Sequence, residues 1–190
     1  MEADPVLQLL LHANQLKRIP RTGWMMRGVA DVESVSDHTF GVAFVSLVLA
    51  QLIDRSIDTA KLLSMALIHD LPEAVLSDIP SPALRHISPD VKRAAEADVL
   101  KTLVDELPQG EKWQAWWHEL EERASVEAKI VHDADRIEIL IQALVYQETT
   151  GNRWLEEFWA EVTLGAFELD VSRSIFRALR DARGRPGEAA

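Results

Sequence analysis

The sequence of 190 residues contains no cysteine, which excludes disulfide bonds, thiolate metal ligands and cysteine nucleophiles. Basic residues are also scarce, because 20 lysines and arginines face 31 aspartates and glutamates and leave a formal net charge of -11. A chain this acidic repels the phosphate backbone, so we expect no nucleic-acid partner.

Long hydrophobic runs are missing as well. The longest apolar stretch, residues 42–53, is interrupted by Ser46 and Gln51 and falls far short of the ~20 residues of a membrane span. The first ten residues carry acids where an export signal would carry lysine or arginine. We therefore expect a cytoplasmic protein without a membrane partner.

Strand signals are nearly absent, since the sequence contains no Asn-Gly or Asp-Gly turn and no sustained alternation of β-branched residues. Helical periodicity recurs instead, and the hydrophobic content of 47% suffices for one compact core. These features predict an all-α bundle that forms a single domain over residues 1–183. Residues 184–190 are predicted to be a disordered tail.

Several helix boundaries follow from capping residues. Ser36, Asp58 and Ser88 are each predicted to begin a helix, and a long helix is predicted from about Ser125 to residue 150, closed by Gly151. Residues 77–82 are predicted to form a loop, because two prolines this close together disfavour a helix.

Without thiols, metal or acid–base chemistry must come from histidine, aspartate and glutamate. His69 and Asp70 end a helix whose preceding residues are apolar, and burying this pair is costly unless a divalent cation or another partner compensates. Taken alone, an adjacent His-Asp pair is ordinary and is more typical of a helix end, with a capping aspartate beside a ring bonded to a backbone carbonyl. His38 fits a hydrogen-bonded residue at the start of its helix.

Asp135 lies in the predicted long helix and shares a face with Val131 and Ile139. An acid on such a face is half-buried and needs a partner. Arg136 is adjacent, so a structural salt bridge is the alternative to a functional site.

A basic segment interrupts the acidic chain. Residues 14–30 contain four basic residues and no acid, among them Arg21 and Arg27, together with Gly23 and Trp24. A cationic loop with an aromatic ring suits a phosphate group and a stacked base or sugar. The alternative is a solvated loop that balances the acidic surface.

Taken in order along the chain, these motifs resemble the HD-domain phosphohydrolases, and within them the 5'-deoxynucleotidase group. The motifs that carry the resemblance are Glu33 to His38, His69-Asp70 with Leu71-Pro72-Glu73, Ser77-Asp78-Ile79-Pro80, Asp133-Ala134-Asp135, and the segments Leu16 to Trp24 and Ile141 to Tyr146. The resemblance covers about residues 5–165. It implies a helical HD domain with a metal site between its helices.

The resemblance also implies roles for individual residues. A divalent cation, cobalt, manganese or another transition metal, is expected to bind His38, His69, Asp70 and Asp135. Glu73 and Asp78 match the catalytic acids of the family, although Ser77 stands where glycine is usual. The substrate, a deoxyribonucleoside 5'-monophosphate, is expected to contact Arg21, Trp24, Arg27, His38, Asp70, Asp78, Ile79, Pro80, Ser81 and Asp135, and the family implies a homodimer.

The expected reaction is metal-assisted hydrolysis of a phosphomonoester, with Glu73 and Asp78 sharing the proton transfers. One alternative is a related hydrolase that cleaves nucleoside triphosphates or a guanosine alarmone. A second is a nucleotide- or metal-binding regulator without activity, and a third is a helical interaction module whose histidines and aspartates only cap and pair.

Overall fold

A computed structural model describes residues 3–184 of the chain. Its α-helices are α1 (Ala3–Gln15), α2 (Thr22–Met25), α3 (Val35–Gln51), α4 (Thr59–Ile68), α5 (Glu73–Leu76), α6 (Pro89–Val104), α7 (Gly110–Glu121), α8 (Val126–Thr150), α9 (Glu156–Glu161) and α10 (Asp170–Arg183). Over residues 3–184 the only β pairing is an isolated antiparallel bridge between Pro20 and Ser34. The predicted all-α class is confirmed.

Helix α8 forms the centre of the bundle, and α3, α4, α7 and α10 pack around it. Its inward side chains, including Ile130, Ala134 and Leu140, are completely buried. A second apolar cluster joins α1, α6 and α7 around Leu100 and Trp117. Burial of apolar surface on this scale is the main source of stability, and it fixes α3, α4 and α8 relative to one another.

Side-chain caps set most of the helix starts that the sequence predicts. Asp58, Ser88 and Ser125 each accept a hydrogen bond from a backbone N–H in the first turn of their helices. Gly151 closes α8 in a left-handed conformation, with φ of 66°. Such caps satisfy backbone groups that have no partner within the helix.

The predicted cap of α3 was wrong. Ser34, two residues before Ser36, accepts from the Asp37 N–H, and the Asp37 carboxylate accepts from the Ser34 N–H. This reciprocal capping box satisfies two backbone donors, which a single bond to Ser36 would not do. As a result His38 lies within the first turns of α3 with its side chain turned into the bundle.

The loop predicted at residues 77–82 is irregular from Ser77 to Pro80 and then enters a short 3-10 turn, Ser81–Arg85. None of the described helices is both long enough and apolar enough to cross a membrane. The predicted tail lies almost wholly outside the described residues, which end at Gly184, and the predicted domain limits remain a prediction.

Candidate active site

Two imidazole rings face each other where α3 meets the end of α4. The Nε2 atoms of His38 and His69 lie 3.4 Å apart, and the His38 side chain is fully buried. The Nδ1 atom of His69 lies 2.7 Å from the Ala66 carbonyl oxygen, which can only accept, so Nδ1 carries the hydrogen. The neutral ring therefore presents an unprotonated Nε2 to the space between the two histidines.

Two carboxylates complete this group. Asp135 on α8 places Oδ1 3.1 Å from His38 Nε2. Asp70 places Oδ2 3.2 Å from His69 Nε2 and 3.7 Å from His38 Nε2. The four residues that the resemblance assigns to a metal thus come together in the fold, and we call His38, His69, Asp70 and Asp135 the donor cluster.

The alternative salt bridge for Asp135 is not observed within the described residues. The Arg136 guanidinium hydrogen-bonds the ring and the backbone carbonyl of His132, one helical turn earlier. Asp133 also has a separate role, because it accepts hydrogen bonds of 2.9 Å from the backbone N–H groups of Glu168 and Leu169. Of the two aspartates Asp133 and Asp135, Asp135 is therefore the one that faces the two histidines.

Proton affinities in the donor cluster reflect the close approach of imidazoles and carboxylates. Burial and the Arg21 charge lower the pKa of His38. Hydrogen bonds to Asp135 and Glu138 outweigh these two effects and raise the pKa to about 10. Burial raises the pKa of Asp135, yet the hydrogen bond from His38 and its charge bring the pKa down to about 2. The cluster thus attracts a positive charge, whether a proton or a metal cation.

The donor cluster fits a divalent metal ion. Imidazole nitrogen suits transition metals such as zinc, cobalt, nickel and iron, while carboxylate oxygen favours harder ions such as manganese. In addition, the buried Oε2 atom of Glu73 has no hydrogen-bond partner within residues 3–184. A buried polar atom without a partner is costly, and its position beside the cluster is consistent with a site built to hold water and an ion.

The Arg21 guanidinium lies close to three carboxyl groups of the site. Arg21 Nη1 lies 3.3 Å from Asp70 Oδ2, 3.5 Å from Asp78 Oδ1 and 3.9 Å from Glu73 Oε2, and its side chain is only 15% exposed. Burial alone would lower the pKa of Arg21, but the charges of Asp70, Asp78 and Glu73 raise it above its ordinary value. Arg21 therefore stays cationic beside the donor cluster.

Glu73 and Asp78 lie in contrasting environments. Burial, followed by the charges of Asp70 and Asp78, raises the pKa of Glu73 to about 9. Asp78 is held as an acceptor, because its Oδ2 lies 2.5 Å from the Thr22 N–H nitrogen and 2.8 Å from Thr22 Oγ1. Glu73 is thus a buried carboxyl that holds a proton, whereas the Asp78 carboxylate is fixed by the two groups of Thr22.

Ser77 precedes Asp78 in an unusual backbone conformation, with φ of 63° and ψ of 166°. Glycine adopts this region readily, whereas a side chain is strained in it. The position where the family usually carries glycine therefore keeps a glycine-like conformation in this chain. The next residue, Asp78, contacts Thr22 and Arg21.

A cavity of about 180 Å³ opens beside the donor cluster. Its lining includes six of the residues expected to contact substrate, namely Arg21, Trp24, Asp78, Ile79, Pro80 and Ser81. Arg27 does not line it, since its guanidinium pairs with Glu157 at 2.8 Å and stacks on the Phe158 ring. Phe158 also closes the side of the cavity next to Gly23, and a Cβ at position 23 would lie 3.4 Å from its ring.

Sequence reasoning missed two residues that support the site. Glu138 Oε2 lies 2.5 Å from His38 Nδ1, on the side of the ring away from the donor cluster. The Trp117 indole N–H donates to the backbone carbonyl of His69 at 3.3 Å. The available signal was weak, because Glu138 is one of 31 acids and shares a helix face with Asp135.

Comparisons with known proteins show the family of the chain. A family model described as the HD domain matches residues 13–167. The chain therefore belongs to the HD domain family.

Within that family the chain is similar to proteins named 5'-deoxynucleotidase HDDC2. The protein from Danio rerio is 34% identical over 185 residues, covering 96% of this chain and 90% of that protein. The protein from Homo sapiens is 35% identical over 167 residues, covering 87% and 79% respectively. A conserved hypothetical protein from Pyrococcus furiosus superposes with a TM-score of 0.78 at 37% identity, covering 94% of this chain and 99% of that one.

Proposed function

We propose that the protein is a metal-dependent 5'-deoxynucleotidase that hydrolyses deoxyribonucleoside 5'-monophosphates to the deoxyribonucleoside and phosphate. The observation that carries the proposal is the convergence of His38, His69, Asp70 and Asp135. The donor cluster lies next to Arg21, which lines the neighbouring cavity together with Asp78. The names of the relatives supply the substrate class, because proteins similar over most of the chain are named 5'-deoxynucleotidases.

The donor cluster would hold the cation, and cobalt or manganese is the proposed metal. When bound, the ion supplies Lewis-acid polarisation of the phosphate and lowers the pKa of a coordinated water. Arg21 is positioned to bind the phosphate oxygens, since its guanidinium lies 3.3 Å from Asp70 and is held there by acids alone. The phosphate oxygens of a bound substrate would then interact with the same guanidinium that pairs with Asp70 and Asp78.

Glu73 and Asp78 divide the two proton transfers of the reaction. The pKa of Glu73 is raised to about 9 by burial and by Asp70 and Asp78, so this residue keeps a proton that it can donate to the departing 5'-oxygen. Asp78 accepts from both the N–H and the hydroxyl of Thr22, and this contact fixes its carboxylate to orient the attacking water. Positioning and electrostatics supply most of the rate enhancement in phosphoryl transfer.

Trp24 forms the proposed sugar-facing wall. The ring is 2% exposed and is fixed by its Nε1–H, which donates to Glu33 Oε1 at 2.7 Å, and by contact with the Phe158 ring. A rigid indole at this wall disfavours the extra 2'-hydroxyl of a ribonucleotide by steric exclusion. Ile79, Pro80 and Ser81 line the same cavity and would complete the contacts with the nucleoside.

A matrix of metals and substrates tests the proposal. Phosphate release is measured for paired ribo- and deoxyribonucleoside 5'-monophosphates with Co²⁺, Mn²⁺, Mg²⁺ and Zn²⁺, on protein first stripped with a chelator. We expect release of orthophosphate from the deoxyribonucleotides in the presence of Co²⁺ or Mn²⁺. Release of pyrophosphate or triphosphate from longer substrates would favour the related hydrolase class, and tight metal binding without any turnover would favour a regulator.

We also propose a cytoplasmic homodimer that uses the apolar surface of α1, α3 and α4. Leu10, Phe40, Phe44 and Leu67 are each more than half exposed there, and the rings of Phe40 and Phe44 stack at 6.4 Å. Helix α3 carries no lysine or arginine and only one acid, Asp37, so two copies of this acidic chain meet there with little repulsion. Light scattering of the wild type and of Phe40→Asp tests the proposal, and a monomeric wild type would refute it.

A further inference from the structure

Behind the donor cluster, His38 is held by an acid that is not one of the four proposed ligands. The Glu138 carboxylate lies 2.5 Å from His38 Nδ1, and the whole Glu138 residue is only 7% exposed. A carboxylate accepts hydrogen bonds, so in the neutral ring it keeps the hydrogen on Nδ1 and leaves Nε2 unprotonated toward Asp135 and His69. This contact orients the ring and selects the form that can bind a metal.

Gly41 makes room for this acid. A Cβ atom at position 41 would lie 2.7 Å from Glu138 Cγ, 2.8 Å from Oε1 and 3.0 Å from Cδ. Glycine inside a helix is unfavourable by about 1 kcal/mol relative to alanine, so its presence in the middle of α3 needs a reason. Gly41 lies one helical turn beyond His38, and the close approach of Glu138 to this position provides that reason.

Glu33, the other acid on the Glu138 side of His38, has a different partner. Glu33 comes within 4.8 Å of His38 and Glu138, but its Oε1 accepts from the Trp24 indole N–H. Glu138 is therefore the acid bonded to Nδ1 of the His38 ring, and Glu33 is bonded to the tryptophan of the cavity wall.

We propose that Glu138 is a positioning residue for the metal centre and that Gly41 is required to admit it. Glu138 holds the His38 ring with Nε2 directed at the ion, and it raises the electron density of that nitrogen through the Nδ1–H hydrogen bond. Gly41 leaves the space that the Glu138 side chain fills. The inference rests on the proposed function, because it requires His38 to be a metal ligand.

Two variants of the full-length chain test the proposal by different routes. Glu138→Gln keeps the size of the side chain but removes its charge. Gly41→Ala keeps every polar group and displaces Glu138 sterically. Calorimetric titration with Mn²⁺ or Co²⁺ alone gives the affinity, and circular dichroism confirms that helix content is unchanged.

We expect each variant to bind the metal about 10- to 100-fold more weakly than the wild type, the usual cost of losing such a partner. Combining the two changes should cost little more than either change alone, because both act on one contact. Glu148→Gln is the matched control, since Glu148 is exposed on the same helix, and this variant should keep wild-type affinity. The visible spectrum of bound Co²⁺ should change in both variants and not in the control, since it reports ligand geometry.

Wild-type affinity in a folded Glu138→Gln or Gly41→Ala protein would overturn this inference while leaving the metal centre intact. A wild-type chain that binds neither Mn²⁺ nor Co²⁺ would instead overturn the proposed function, and this inference with it. If Glu138→Gln does not fold, Gly41→Ala decides the question, because it adds one methyl group against a side chain that can move.

Discussion

The site has two parts that are built differently. The donor cluster lies on helices α3 and α8 and at the end of α4, which pack through buried apolar side chains such as Val42, Met65 and Ala134. The opposite wall is built from short turns and is held by polar contacts, and we call it the loop wall: Arg21, Thr22, Glu73, Ser77 and Asp78. The first part is fixed by the core and the second by hydrogen bonds.

This difference indicates that the two parts have different functions. Metal ligands must hold their geometry within a fraction of an ångström, which rigid helices provide. Groups that move protons and contact substrate lie on loops positioned by that scaffold. Damage to the donor cluster should therefore abolish the reaction, whereas damage to the loop wall should reduce it by degrees.

The largest expected effect is the loss of a ligand. Asp70→Ala should lower turnover of a deoxyribonucleoside monophosphate with Co²⁺ or Mn²⁺ by about a thousandfold or more, because the metal contributes several kcal/mol of stabilisation. Phosphate release and metal content are measured together. Asp54→Ala, at an exposed acid, is the control, and full activity of Asp70→Ala would refute the assignment of the ligands.

The next effect separates the two carboxyl groups of the loop wall. Glu73→Gln and Asp78→Asn should each lower kcat by about a hundredfold or more, as expected for a general acid or base. A phosphomonoester with a good leaving group, such as p-nitrophenol, needs no proton donor. It should therefore restore activity to Glu73→Gln and not to Asp78→Asn, and the reverse pattern would exchange the two roles.

The buried Glu73 also predicts how stability depends on pH. In the metal-free protein, burial and the charges of Asp70 and Asp78 raise the pKa of Glu73 from 4.5 to about 9. The folded state then binds a proton that the unfolded state has released, so stability falls as the pH rises through this range. Glu73→Gln should have the higher Tm, with a gap that widens from pH 5 to pH 8, and a constant gap would contradict this environment.

A smaller effect is expected from the contact that holds Asp78. Thr22→Val removes the hydroxyl bond to Asp78 Oδ2 and leaves the backbone bond in place. Loss of one hydrogen bond to a charged group costs about 1.5 kcal/mol, or roughly tenfold in kcat/KM. Thr102→Val is the control, because that hydroxyl bonds only the carbonyl of Asp98 in its own helix, and equal effects of the two changes would exclude a role for Thr22.

The smallest expected effect is a gain in stability in the loop wall. Ser77→Gly should stabilise the fold by about 1 kcal/mol, because it relieves backbone strain at a φ of 63° and gives back part of that gain in unfolded-state entropy. Urea unfolding measures the change. Ser56→Gly, at a position without positive φ, should be neutral or destabilising, and a destabilised Ser77→Gly would show that no strain is stored there.

The helices were predictable because their signals are local. Asp58, Ser88, Ser125 and Gly151 cap helices through bonds that span only a few residues. The error at α3 shows the limit of such signals, since Ser34 and Ser36 are both plausible caps. The reciprocal bond with Asp37 selected Ser34.

The sequence indicated the four residues proposed as donors, but it did not indicate the residues that support them. The order of His38, His69-Asp70 and Asp135 indicated the proposed donors, and the structure brings these four side chains together. Glu138 and its space at Gly41 were not predicted. An acid on a helix face is common, and only the folded distance distinguishes this acid from the others. The assignment of Arg27 to the substrate also came from a local cluster of charge, while its ion pair with Glu157 spans 130 residues.

The sequence by itself determined the all-α class, most helix ends and the residue types able to bind a metal, because propensity and capping act over a few neighbouring residues. The tertiary structure alone decided which of these residues meet. His38 and His69 are 31 residues apart, and His38 and Glu138 are 100 apart. Contacts at such separations depend on how α3, α4 and α8 pack, and that packing is a property of the whole core.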